Sequence, residues 1–468
     1  MRPLLRGLAA LAALAAGATL GVTPLHAQAS ARDQEARAIF AELIGINSTA
    51  EHGATTPAAQ AVARRLLAAG FPERDVAIVG PDSLHQNIVA RLRGTGARRP
   101  ILLLAHLDVV EALRSDWTME PFTLTERDGY FYGRGTSDIK DMAAIFTATM
   151  LSLKRDGVVP DRDIILALTA GEESGAWNGV QWLLDNRRDL IDAAYCINGD
   201  GGDPLSRNGV VYARNVQASE KVYTDFELEV HNPGGHSSLP TADNAIYRLS
   251  AGLVRLGRFR FPARLNEITR GYFERAAASN PPNVARDMRL AAGGNTPAIA
   301  RLSNESPYFN ALFRTTCVAT RVNGGHADNA LPQLARATVN CRMLPDEKPE
   351  AVEATIRRVV ADSGILVRVK QPAVPSPASP LVPEVMEPIE AITRAMWPGA
   401  AVVPSMETGA TDGLYLRNAG IPVYGVSGVA LDVDDIRAHG QDERIRVKAF
   451  YEGVEFTERF VRALSGGR

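Results

Sequence analysis

Three short apolar runs decide most of what this chain can become. Ile101-Leu102-Leu103-Leu104-Ala105, Ile164-Ile165-Leu166-Ala167-Leu168 and Ala193-Ala194-Tyr195-Cys196-Ile197 are continuous rather than alternating. Runs of this length and continuity are buried on both faces, as the central strands of an α/β sheet are. Residues 142–155, between the first two, read as a helix, and residues 33–43 and 56–69 as earlier amphipathic helices. Ile421-Pro422-Val423-Tyr424-Gly425-Val426 supplies one more strand near the C-terminus.

The middle of the chain has a different rhythm. Asp225-Phe226-Glu227-Leu228-Glu229-Val230 alternates polar and apolar, as a half-exposed antiparallel strand does, and residues 337–342 alternate again. Helical stretches follow each, at 244–257 and 349–361. The expectation is a central mixed sheet flanked by helices, interrupted by a small α+β insertion. The boundaries drawn are a leader at 1–29, the first part of the sheet domain at 30–212, the insertion at 213–372, and the second part of the sheet domain at 373–468. Within the insertion, residues 265–306 show no clear pattern and are assigned to shaping a substrate pocket.

The N-terminus stands apart from this. Arg2 and Arg6 precede an apolar run from Leu8 to Val22, and Leu25-His26-Ala27-Gln28-Ala29 follows. A positive start, a short apolar core and a small-residue exit describe a secretory signal. The run is shorter than the ~20 residues of a spanning helix. The expectation is therefore an exported protein, periplasmic or secreted, with no membrane attachment once the signal is removed. A net charge of −2 gives no basic footprint for nucleic acid. Three cysteines, Cys196, Cys317 and Cys341, are too few for a disulfide framework and lack metal-ligand spacing. Cys317 and Cys341 lie in strand-like runs and read as buried thiols, with a single disulfide open to them in an oxidising compartment.

The chemistry lies where the strands end. The first run is followed by His106-Leu107-Asp108, the second by Gly171-Glu172-Glu173, the third by Asn198-Gly199-Asp200. Open α/β sheets bind ligands beyond the carboxyl ends of their strands. Three strands therefore deliver imidazole or carboxylate to one edge. Asp138 sits in a loop before a helix, and His439 in a loop far downstream. Taken singly, each acid reads as a turn or helix-start residue and each histidine as an ordinary one. At successive strand ends they read as ligands. Histidine nitrogen with carboxylate oxygen suits zinc, and the set exceeds what one zinc needs. A two-metal site holds both attacking and leaving groups. No G-x-S-x-G elbow, no H-E-x-x-H and no dinucleotide fingerprint occurs.

The set Ala105-His106-Leu107-Asp108, Gly133-Arg134-Gly135 with Asp138 and Lys140, Gly171-Glu172-Glu173-Ser174, Asp200, Gly235-His236-Ser237-Ser238 and His439 resembles a family of co-catalytic zinc metallopeptidases. That family contains aminoacylase, carboxypeptidase S, glutamate carboxypeptidase and succinyl-diaminopimelate desuccinylase. Phe131-Tyr132-Gly133-Arg134-Gly135-Thr136 is most similar to the carboxypeptidase S branch. The family often has Gly after the Lys of the Asp138 motif, where this chain has Asp141.

The resemblance implies roles. Asp138 matches a carboxylate bridging two Zn2+ ions, which Co2+ or Mn2+ can replace. His106 and Asp200 match the remaining ligands of one ion, Glu173 and His439 those of the other. Glu172 matches the general base. Asp108 matches the acid that orients the His106 ring. The insertion becomes a lid that also dimerises, its His236 reaching the scissile carbonyl, commonly in the partner's site. Asn329 and Arg342 resemble substrate-holding residues, Arg342 as the grip on a terminal carboxylate. Gly409 and Thr411 belong to a loop near the substrate. The implied function is hydrolysis of an amide bond beside a free carboxylate. The enzyme is an exported carboxypeptidase or dipeptidase acting on small peptides, or an amidohydrolase of N-acyl amino acids. A non-catalytic zinc-binding protein is the reading that Glu172 argues against, since binding alone needs no base.

Overall fold

The computed structural model describes residues 30–175 and 177–466; the expected signal at 1–29 lies outside them. The apolar runs occupy the centre of a ten-stranded mixed sheet. Its order is Val76–Val79, Asn87–Leu92, Ile164–Thr169, Ile101–His106, Tyr195–Asn198, Val423–Gly425, Val210–Glu220, Pro204–Arg207 and Leu431–Asp432, with Ala401–Glu407 also pairing Val210–Glu220. The four strands from Ile164–Thr169 to Val423–Gly425 are mutually parallel, so their carboxyl ends share one edge.

Alternation within each run explains why no polar residue interrupts it. Ile101, Leu103 and Ala105 pack against the helices Ala31–Ile44, Lys140–Arg155 and Val447–Leu464. Leu102 and Leu104 pack on the opposite face, against Gly179–Asn186 and Gly413–Asn418. Burying one such side chain contributes roughly 1.5–3 kcal/mol, which a charge at either face would forfeit. The helix Lys140–Arg155 is covered almost all round, and its Lys140 Nζ donates to the carbonyls of Leu43 (2.9 Å) and Ile46 (2.7 Å).

The insertion is a second, wholly antiparallel sheet ordered Thr316–Gly324, Leu334–Met343, Val222–His231, Leu366–Gln371. The helices Ala245–Arg258 and Pro349–Val360 cover one face of it. The strand Val210–Glu220 still belongs to the large sheet, so the chain crosses at Glu220-Lys221 rather than at 212. Cys317 and Cys341 face each other across two neighbouring lid strands and form a disulfide, while Cys196 is a buried thiol. The expectation of two buried thiols there is corrected by strand register.

Residues 265–306 also depart from expectation. Together with the residues after them they form four helices, Glu267–Ala276, Pro282–Ala292, Thr296–Glu305 and Pro307–Phe313. Their apolar faces pack on Ala218, Val403 and Met406 of the large sheet, away from the lid sheet's core. No helix among the described residues is long and apolar enough to cross a membrane.

Candidate active site

Two triads meet at one aspartate. Donor atoms of His106, Asp138 and Asp200 lie within 4.8 Å of one another, and so do those of Asp138, Glu173 and His439. His106 and Asp200 arrive from neighbouring parallel strands, and Glu173 follows a third. Asp138 enters from the loop before Lys140–Arg155. His439 enters from a loop near the C-terminus, with a left-handed backbone (φ 62°). His106 Nε2 lies 3.1 Å from Asp138 Oδ1. His439 Nε2 lies 3.0 Å from Asp138 Oδ2 and 3.1 Å from Glu173 Oε1.

Asp108 holds the His106 ring by a different atom from the one expected. His106 Nδ1 is 2.9 Å from the main-chain carbonyl of Asp108, and 3.8 Å from its carboxylate. The carboxylate instead accepts the backbone N–H groups of Glu172 (3.3 Å) and Glu173 (3.0 Å). One residue thus sets both the ring and the turn carrying the two glutamates.

The site concentrates negative charge. No Lys or Arg among the described residues forms an ion pair with Asp138, Glu172, Glu173 or Asp200. Burial, then the charge of Asp200, pushes Glu172 well above the usual carboxylate range. Burial, then Asp138, raises Glu173 to about 7. Burial is also the main cause that lifts Asp200. Burial opposes ionisation of Asp138 too, yet hydrogen bonds from His106 and His439 hold it well below the usual range. The hydrogen bond to Asp138 raises His439 to about 9. A buried cluster of carboxylates with only two histidines and no Lys or Arg to offset it is costly unless it coordinates metal. Histidine nitrogen with carboxylate oxygen is a fitting donor set for two divalent ions sharing Asp138.

A cavity of about 300 Å³ opens beside Asp138 and Asp200. Asp141, Asp203, Glu407 and Thr411 line part of it, and Tyr130, Val429, Leu431 and Ile436 form apolar wall. Thr411 is mostly engaged elsewhere: its N–H and Oγ1 both donate to Glu220 at 3.0 Å. Gly409 is half-buried in the same loop and does not line the cavity.

The lid residues lie apart from this cluster. His236 is exposed on a two-residue strand that pairs Ala330–Leu331, and its Nδ1 accepts the Ser238 hydroxyl at 2.8 Å. Asn329 sits beside it, its carbonyl accepting Ser237 N–H at 3.0 Å. Neither lines the cavity. Arg342 is half-buried on the polar face of the lid sheet, its guanidinium 4.6 Å from the Tyr223 ring centroid. It forms no ion pair among the described residues.

Two supporting residues carry no role in the sequence reading. Glu443 is fully buried and accepts Arg134 Nη1 (2.5 Å) and the N–H groups of Gly135 (3.2 Å) and Ser137 (2.7 Å). Arg134 Nη2 also reaches the Gly440 carbonyl at 3.1 Å. The pair binds the Asp138 loop to the His439 loop. Asp412, buried near Glu172, accepts Asn178 and Thr169. In sequence, Asp442-Glu443-Arg444 reads as an ordinary solvated charge run, and nothing local marks Glu443 as buried.

The sequence profile described as Peptidase family M20/M25/M40 matches residues 102–463. The chain belongs to this family. A mouse N-fatty-acyl-amino acid synthase/hydrolase is 30% identical to this M20 peptidase, over 78% of the chain and 74% of the relative. Carboxypeptidase S of Saccharomyces cerevisiae is 24% identical, over 78% and 71%. An M20 family metallo-carboxypeptidase from Sulfolobus solfataricus has the same fold, with a TM-score of 0.67 at 18% identity, covering 92% of this chain and 99% of that one. The M20 peptidase described here is a metal-dependent hydrolase of peptide or amide bonds.

Proposed function

We propose that the protein is an exported two-zinc hydrolase that cleaves an amide bond next to a free carboxylate. The observation that carries this is the pair of triads sharing Asp138, with Glu172 on the turn that delivers Glu173. His106 and Asp200 would complete one ion's ligands, Glu173 and His439 the other's. Bound there, the two ions would supply Lewis acidity and lower the pKa of water from 15.7 toward ~7.

The chain's own residues do the rest. Glu172 takes the proton of the attacking water and returns it to the departing amine. Its buried, acid-surrounded setting supports this, because a raised pKa lets a carboxyl both accept and give a proton near neutrality. Asp108 fixes the main chain of Glu172 through its N–H, which sets where the side chain starts. Arg342 receives the substrate's terminal carboxylate. An arginine half-buried over an aromatic ring, near Asp225 but in no ion pair among the described residues, is placed for a planar anion.

Peptides of two or a few residues are the first substrate class. N-acyl amino acids are the second, favoured by the apolar wall of Val429, Leu431 and Ile436 and by the mouse relative's activity. The lid's outer strand, Thr316–Gly324, pairs on one edge only and exposes Val318 and Val322. Leu239 and Tyr247 are exposed nearby on the lid. These surfaces support a homodimer in which His236 and Asn329 serve the partner's site. The Cys317–Cys341 disulfide supports an oxidising compartment and hence export.

The test is a panel of blocked dipeptides, free dipeptides and N-acyl amino acids with zinc added. Hydrolysis of free acids with release of the C-terminal amino acid is expected. Cleavage of none of them by metal-loaded protein would remove the reading.

A further inference from the structure

Both connections between the large sheet and the lid converge on one buried carboxylate. Glu220 ends the outgoing strand, and the lid begins two residues on, at Val222. The returning chain leaves the lid at Gln371 and runs past Ser376 and Ser379. Glu220 is fully buried. Its Oε1 accepts Ser376 Oγ at 2.6 Å and Arg417 Nη1 at 2.8 Å. Its Oε2 accepts the Thr411 N–H and hydroxyl, both at 3.0 Å. With a longer contact from Gln217 Nε2 at 3.4 Å, five donors saturate the carboxylate's acceptor capacity.

Ser376, Arg417 and Thr411 belong to three different parts of the molecule. Ser376 is on the return from the lid. Arg417 is anchored in the large-sheet domain, its Nη2 donating to the Val423 carbonyl at 3.3 Å and its Nε to Ser379 Oγ at 3.3 Å. Thr411 is in the loop that lines the cavity. Its hydroxyl lies 3.5 Å from Asn198 Nδ2, and Asn198 Oδ1 accepts the N–H of Asp200 at 3.1 Å. The next residue, Asp412, is buried against Asn178 and Thr169. A carboxylate that merely stabilised the crossing would have no need of the cavity loop.

We propose that Glu220 is a positioning residue that sets the lid and the 409–413 loop together, so that a substrate held by the lid meets Glu172 in one geometry. This rests on the reading that the lid grips the substrate. Misplacement of about 1 Å costs on the order of 10²-fold in rate, so the coupling has kinetic weight.

The test measures geometry and rate separately. Spin labels are attached to cysteines at exposed Ala68 of the large-sheet domain and exposed Ala354 of the lid. Cys196 is buried and spared. Labelled protein is diluted with unlabelled, and the distance distribution is read by pulsed dipolar spectroscopy. The parent should give one narrow distance. Glu220→Gln should broaden or shift it and lower kcat/KM by roughly tenfold or more, with metal content unchanged. Ser376→Ala removes one neutral hydroxyl and should act in the same direction even if Glu220→Gln folds poorly. An unchanged distribution in Ser376→Ala and in any folded Glu220→Gln would overturn the proposal. A changed distribution with unaltered kcat/KM would overturn it too. A parent with no zinc-dependent turnover would remove the hydrolase reading instead, and the distances would still decide the coupling.

Discussion

Replacing Glu172 by glutamine exchanges one oxygen for an NH2 group and leaves every metal-facing atom in place. The backbone N–H of residue 172 still meets Asp108, and so does that of Glu173. The side chain forms no ion pair among the described residues, and Asp200, Asp412 and Glu173 oppose its charge more than His106 favours it. The substitution should therefore leave the fold and the two-ion stoichiometry intact. It removes the carboxyl on the turn beside Glu173 that is assigned to accept the proton without being a ligand. Losing a positioned acid–base group costs ~10²–10⁴-fold in rate. At 1.36 kcal/mol per tenfold, that is roughly 3–5 kcal/mol of barrier. The assay is single-turnover and steady-state hydrolysis of one N-acyl amino acid by parent and variant, each reconstituted with zinc and checked for bound metal. A Glu172→Gln protein with two ions and turnover within threefold of the parent would show that another group activates the water.

Zinc affinity should fall as pH is lowered from 8 to 6, because Glu173, raised to about 7, and His439, raised to about 9, must release protons to ligate. Calorimetric titration at both pH values checks this, and a pH-independent affinity would refute it. Arg342→Ala should lose about tenfold or more on free acids, since a charge-assisted hydrogen bond is worth roughly 1.5–3 kcal/mol, and little further on the matching amides. Equal cleavage of the free acid by both proteins would make Arg342 structural. Replacing Cys317 and Cys341 by serine opens a loop of 24 residues and should cost about 3 kcal/mol of stability, read from urea denaturation with and without reductant. Coincident transitions would show that the thiols are not paired.

The α/β class was legible because burial on both faces leaves an unbroken apolar run, and the lid sheet because one-sided burial leaves an alternating one. The meeting of His106, Glu173 and Asp200 was legible because successive strand ends put them at one edge. Other features were not. The four helices after residue 266 are short, and each buries only a narrow stripe. Their start signals were present all the same, in Asn266, Asn295 and Ser306 as caps. The i, i+2 spacing of His106 and Asp108 placed the two together but did not say which oxygen of Asp108 meets the ring. Arg134 and Glu443 stand 309 residues apart, and only the folded chain shows that they meet. The Cys317–Cys341 pairing follows from strand register, which spacing alone does not fix.

Asp138 faces His106 from an early strand and His439 from a loop near the chain's end. An ion held by Asp138, Glu173 and His439 would be a long-range staple as well as a reagent. It would join segments separated by the whole inserted lid, since only the folded chain brings those ligands together. Binding of that kind adds to stability by mass action, about 2.7 kcal/mol when free ion exceeds its dissociation constant a hundredfold. In metal-poor surroundings, the dilution that silences the chemistry would therefore also loosen the fold.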